Sequence, residues 1–200
     1  MAKKLKVKGI ILHVSASTWG DIHVMRKWHT DPRPKGNGWS DVGYHGAALN
    51  GYRTYGDYRA DQYNPDLDGK IELGRLHTVK GAHCLAKGMN GVTLGFCCIA
   101  LPGWQSDRSI RDHKSNPDLQ NISSNGLYWI TERQLNAVLH ACSVWCKKHN
   151  LDPTGKFWHT ARQYWVLDQH SAYDPRKPID ASLNMHLIRA MVAARMSHIP

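Results

Sequence analysis

The stretch from Val7 to Ser15 is almost entirely apolar and β-branched, with lysines before it and Ser and Thr residues after it. That is the pattern of a strand buried on both faces, not of one with a wetted side. A strand of this kind needs cover above and below, which points to a sheet layered between helices. Alternation sends Ile11, His13 and Ser15 to one face and Ile10, Leu12 and Val14 to the other. His13 then sits at the carboxyl end of the strand, where open α/β sheets place their ligand crevices.

The rest of the chain supplies partners for such a strand. Asp21 is placed to N-cap a short helix running to about His29, and Pro32, Pro34, Gly36 and Gly38 make the following stretch a loop. Val42 to Leu49 reads as a second strand, Lys70 to Leu73 as the next, and Val92 to Leu101 as a central one. Residues 51–69, rich in tyrosine, form an insertion on the hairpin between the second and third strands, long enough for a binding or lid role. Residues 103–128, polar and rich in Ser, Asn and Asp, form a second surface insertion. Thr131-Glu132-Arg133-Gln134 is a capping box, and Leu135, Val138, Leu139, Cys142, Trp145 and Cys146 recur at helical spacing behind it, to about His149. Lys156 to His159 reads as a short strand, and a last helix begins near Asp180. The expected architecture is a single α/β domain over residues 1–200, a central mixed sheet flanked by helices, with a cleft at one edge.

Composition limits the function. Hydrophobic residues make up 42% and charged residues 21% of the 200 residues, the usage of an ordinary globular domain. The longest apolar run, Gly9 to Val14, is far below the ~18 to 20 residues that span a bilayer, so no membrane span is expected. The basic N-terminus lacks the apolar core of a secretory signal. Five cysteines are an odd count in a chain too long to need a disulfide framework, and they read as reduced thiols. Twenty-six Lys and Arg against sixteen Asp and Glu give a net charge of +10, which favours a polyanionic partner: nucleic acid, anionic lipid or bacterial wall.

Common catalytic signatures are absent: no H-E-x-x-H, no phosphate-binding loop, no G-x-S-x-G and no paired C-x-x-C. Thirteen histidines remain, and position must filter them. His13 ends the first strand, His159 ends the short late strand, and Asp174 follows in Tyr173-Asp174-Pro175. Two imidazoles and one carboxylate would suit zinc, with a fourth position left for water. Singly, each residue has a commoner role, as a satisfied polar strand end or a turn former.

Three segments together resemble the opening of the type-2 N-acetylmuramoyl-L-alanine amidases: Ile10-Ile11-Leu12-His13-Val14-Ser15-Ala16-Ser17, Trp28-His29, and Ser40-Asp41-Val42-Gly43-Tyr44-His45. Gly81-Ala82-His83 and Gly91-Val92-Thr93-Leu94-Gly95-Phe96 are similar to that family's S/G-x-H turn and S-I-G-V strand. Trp158-His159-Thr160-Ala161-Arg162, with Asp174-Pro175 and Pro178-Ile179-Asp180, is similar to its G-H-R-E segment and closing D-P-G-P-x-F-D. The family comprises zinc enzymes, including phage endolysins and bacterial wall amidases, together with the animal peptidoglycan-recognition proteins.

The resemblance implies Zn2+ held by His13, His159 and Asp174, with the Tyr44 hydroxyl lining the site. It also implies hydrolysis of the amide between N-acetylmuramic acid and L-alanine of peptidoglycan. Where the family carries Lys or Thr two residues before the third ligand, this chain has Ala172, and Cys97 stands where some members have Glu. Fourteen residues separate His159 from Asp174, more than the family usually has. His170 is therefore the expected proton-transfer residue, with Lys177 the other candidate. His45, His77 and His83 would ring the cleft or lie at the surface or behind it. Peptidoglycan and the anionic bacterial envelope are the implied partners, and a monomer is expected. The implied setting is a phage or prophage endolysin, held in the host cytoplasm until release to the wall, with a cytoplasmic recycling amidase as the rival.

Two other classes compete. A nucleic-acid-binding or polymerase-regulating protein would share the basic charge, yet Lys and Arg are scattered, with no basic helix. A non-catalytic peptidoglycan-binding module would need no complete ligand set. Cys142, Cys146 and His149, on one helix, offer an alternative metal site, but apolar neighbours favour buried thiols.

Overall fold

Strand β1 (Gly9–Val14) lies inside a five-stranded sheet, and its burial on both faces follows from what flanks it. The computed structural model describes residues 5–100, 130–178, 180, 181 and 183–199. The expected insertion at 103–128 lies outside the described residues. β1 pairs in parallel with β4 (Thr93–Cys98) on one side and with β7 (Leu167–Gln169) on the other. β2 (Gly46–Ala48) follows in parallel beyond β4, and β3 (Ile71–Leu73) closes the far edge antiparallel to β2. The sheet is therefore mixed, in the order β3-β2-β4-β1-β7.

One face is covered by two helices, α3 (Glu132–His149) and α4 (Met185–Met196), packed on Ile10, Leu12, Ala48, Leu94 and Phe96. The other face meets α1 (Ile22–Thr30) through Ile22, Met25, Ala47 and Cys97, while Ile11 packs on Cys84, Met89 and Tyr173. As the sequence requires, α1 is capped by Asp21, whose carboxylate accepts from the Val24 N–H at 2.8 Å. The last helix starts later than expected: Asn184 caps it, which leaves Asp180 outside the helix.

Residues 51–69 do form an insertion on the β2–β3 hairpin. Leu49 and Lys70 hydrogen-bond across its base at 3.0 Å, so the ladder resumes where the insertion ends. Inside it, α2 (Tyr55–Arg59) carries its own capping box, and the Tyr52 ring packs on Tyr58 and Tyr63 at centroid distances of 5.6 and 5.7 Å. These tyrosines spend their apolar faces on one another.

The capping box of α3 does more than start a helix. Thr131 Oγ1 accepts from the Gln134 N–H and Gln134 Oε1 accepts from the Thr131 N–H, both at 3.0 Å. The same Gln134 side chain, fully buried, donates through Nε2 to the carbonyls of Ala48 at 3.1 Å and Ile99 at 3.0 Å. One amide thus joins the helix to the ends of β2 and β4.

Sequence reading places a strand at Lys156 to His159 but not its partner. β5 (Lys156–His159) and β6 (Arg162–Trp165) make a separate two-stranded sheet, and β7 then returns to the main sheet. Two residues, Thr160 (φ 46) and Ala161 (φ 60), turn the hairpin, both in the left-handed region. Such a turn normally uses Asn-Gly. Thr and Ala give no turn signal, and a β-branched residue there is strained.

Two stability measurements check these contacts in urea. Gln134→Met strands two buried carbonyls and should cost about 2 to 4 kcal/mol, against about 1 to 2 for Thr131→Ala. Replacing Thr160-Ala161 with Asn-Gly should add about 1 to 2 kcal/mol.

Candidate functional site

The parallel register of β1 and β7 sets the site. Leu12 lies opposite Gln169, so the next residues along, His13 and His170, leave the carboxyl ends of neighbouring strands side by side. Their rings stand 4.7 Å apart, edge to face. Asp180 closes the group. Its Oδ1 accepts from the Val14 N–H at 2.9 Å, while Oδ2 lies 2.7 Å from His170 Nδ1 and 3.6 Å from His13 Nδ1. Among the described residues, His13, His170 and Asp180 are the group of three or more side chains able to share a metal, with ligand atoms within 4.8 Å of one another.

Two of the three, His170 and Asp180, line a cleft of about 900 Å³, with His13 buried behind them. Tyr44, His29 and Trp39 also line it, as do Asp174, Arg176 and Lys177. The Tyr44 ring lies 5.1 Å from that of His13. Burial, and then the neighbouring Cys97 thiol, push the Tyr44 hydroxyl well above its usual range, so it stays a protonated donor. Burial lowers His13 despite the Asp180 carboxylate beside it, which favours neutral imidazole. Burial alone would raise Asp180, but His13, His170 and the Val14 N–H hold the carboxyl below its ordinary range.

Two expected ligands lie outside this group of three. His159 ends β5 on the separate hairpin, with its ring 6.5 Å from Tyr164. Asp174 lines the cleft, but both its oxygens are taken by Arg176: Nε to Oδ1 at 2.9 Å and Nη2 to Oδ2 at 2.8 Å. That guanidinium holds the carboxyl well below the usual range. The cluster therefore contains His13, as expected, but has His170 in place of His159 and Asp180 in place of Asp174. The strand beside β1 determines which histidine arrives, and that strand is β7, not β5. The available sequence signal is spacing. Nine residues lie between His170 and Asp180, against fourteen between His159 and Asp174. Cys142 and Cys146 are fully buried in the core, and burial pushes the Cys146 thiol up to about 12. His149 turns instead to His77, at 2.8 Å.

The donor set suits zinc: two imidazoles and a carboxylate. His13 Nδ1 is buried and makes no hydrogen bond. Its 3.6 Å separation from Asp180 Oδ2 is too long for a hydrogen bond, which leaves that nitrogen available as a ligand.

Neither protein-family models nor curated protein sequences give a match to this chain. Solved structures do. The N-acetylmuramoyl-L-alanine amidase LysC of Clostridium intestinale superposes with a TM-score of 0.56 at 14% identity, over 93% of this chain and 85% of that one. The endolysin amidase LysCS of the same organism gives 0.53 at 15%, over 93% and 83%. Drosophila PGRP-LB gives 0.51 at 17%, over 98% and 82%. The chain has the fold of these proteins. No helix among the described residues is long and apolar enough to cross a membrane.

Behind the site lies His45, fully buried. Its Nδ1 accepts from the Gly95 N–H and its Nε2 faces the Val79 carbonyl, both at 3.0 Å. Burial pulls it down to about 4, against about 6.5 in an unfolded chain. The unfolded state therefore binds more protons between these values, and the stability conferred by the neutral ring, complete above about pH 6.5, is lost as pH falls toward 4. At about 1.4 kcal/mol per pH unit this reaches at most about 3 kcal/mol. The urea midpoint should fall from pH 7 to pH 4, and His45→Gln should flatten that slope.

Proposed function

We propose that the chain is a zinc-dependent hydrolase that cleaves the amide joining N-acetylmuramic acid to L-alanine in peptidoglycan. The observation that carries this reading is the convergence of His13, His170 and Asp180, the last two lining a cleft, in a fold shared with wall amidases. Zinc held by those three residues would supply Lewis acidity, polarising the scissile carbonyl and activating water near neutral pH.

The chain's own groups do the remaining work. Tyr44, protonated and on the cleft wall, donates to the oxygen that gains charge as the carbonyl is attacked. Loss of one such donor costs about 2.7 to 4 kcal/mol in comparable sites. We assign His170 to holding the metal with His13 and Asp180, which passes the proton-transfer role expected of it to Lys177. Lys177, which also lines the cleft and whose charge is felt at His13, takes the role of stabilising charge and protonating the leaving amine. Lys177, with Arg176 already paired to Asp174, offers the cleft a cation that suits the acidic groups of a stem peptide.

The net charge of +10 favours encounter with an anionic envelope. We place the protein as an endolysin of a phage or prophage, formed in the host cytoplasm and acting on the wall after release.

The deciding experiment incubates purified protein with peptidoglycan, with and without chelator, and identifies the new termini by mass spectrometry. Free L-alanine amines on intact stem peptides, lost with chelator and restored by zinc, are the expected result. His170→Ala and Asp180→Ala should lower turnover by about 100-fold or more, while His159→Ala stays near wild type. Binding to the wall without new termini would mark a recognition module, and cleaved sugars or crosslinks would refute the assignment.

A further inference from the structure

We propose that His83 is the positioning residue for His13: it fixes which ring nitrogen of His13 carries the proton and so leaves the bare nitrogen facing the Asp180 carboxylate. The proposal rests on the metal reading above and concerns a residue that never reaches the metal group itself.

The argument starts at the Thr93 carbonyl. His83 Nε2 lies 3.2 Å from that oxygen. A carbonyl only accepts, so a neutral His83 must carry its proton on Nε2. Its Nδ1 is then a bare acceptor, and it lies 3.0 Å from His13 Nε2. His13 must therefore donate from Nε2, which leaves its Nδ1 without a proton. That atom is the buried, unpartnered nitrogen facing Asp180. One backbone oxygen thus sets the tautomer of a side chain two hydrogen bonds away. Metal-bound histidines are generally held in this way, with the other ring nitrogen donating to a fixed acceptor.

The fold holds His83 in this pose with unusual care. A Cβ at Gly95 would come within 2.5 Å of His83 Cγ, and one at Gly81 within 2.5 Å of its Cδ2. The ring occupies space that only glycine leaves open on both sides. Its backbone N–H donates to Asn90 Oδ1 at 2.8 Å, and the same oxygen accepts from Cys84 N–H at 2.7 Å. The side chain is 7% exposed. An alternate pose has little room, so the tautomer relay is built into the backbone.

The test begins with metal-free wild-type protein labelled with 15N at histidine. Long-range proton–nitrogen correlation near pH 7.5 should find both His13 and His83 protonated on Nε2. A proton on His13 Nδ1 would overturn the proposal. Next, zinc affinity is measured by competition with a chromophoric chelator. His83→Phe keeps a flat ring between the two glycines but removes both nitrogens, and it should weaken zinc binding by about 10- to 100-fold. His83→Asn restores an acceptor at the position of Nδ1 and should recover most of the loss. Wild-type affinity in His83→Phe, with His13 nitrogen shifts unchanged, would also overturn it. Should wild-type protein take up no zinc, the metal reading fails, while the nitrogen correlation still decides the role of His83.

Discussion

The parallel register of β1 with β7 decides what the cleft contains. Because Leu12 stands opposite Gln169, His13 and His170 emerge together, and any slip along the pair would part them. Asp180 then locks the arrangement, since one carboxylate takes the first free N–H beyond His13 and faces both imidazoles. The pairing depends on β7, a strand of three residues that owes its place to Arg189. That guanidinium reaches the Leu167 carbonyl at 2.8 Å and the Asp168 carboxylate at 3.1 Å. An arginine on the last helix thereby holds the edge strand on which the grouping of His13, His170 and Asp180 depends.

Burial sets the electrostatics. In a protein of net charge +10, protonated histidines clustered in the interior would repel one another and lose hydration. Desolvation prevents this, lowering His13, His45 and His83. The neutral rings then serve as paired donors and acceptors, a use that cationic imidazolium cannot fill. The cationic side chains of the cleft lining are instead Lys177 and Arg176, the latter paired with Asp174.

Much of the fold was legible because its signals were local. Asp21 and Thr131 announce helix starts through their own side chains, and the run ending at Val14 reports burial on two faces. Residues 51–69 declare themselves by separating two halves of a hairpin. The site was only half legible. His13 could be placed from its strand end, and Tyr44 from the motif around it. His170 and Asp180 could not be placed as partners, because β7 has a single aliphatic residue, Leu167, and its carbonyl is held by Arg189, twenty-two residues on. The hairpin of β5 and β6 escaped for a related reason: Thr160-Ala161 adopts a turn geometry that its residue types disfavour, so tertiary context overrides local preference. Without that hairpin, the strand ending at His159 looks like the neighbour of β1.

Gln134 carries a consequence for how this molecule opens. Its side chain belongs at once to the first turn of α3 and to the ends of β2 and β4. Helix ends ordinarily fray at little cost, ahead of the sheet they cover. Here the first turn cannot unwind without exposing strand carbonyls in the interior, so the start of α3 and the middle of the sheet form one cooperative unit. Amide protons near Thr131 should exchange as slowly as those of the central strands, and breathing of the structure is displaced to segments that share no such amide.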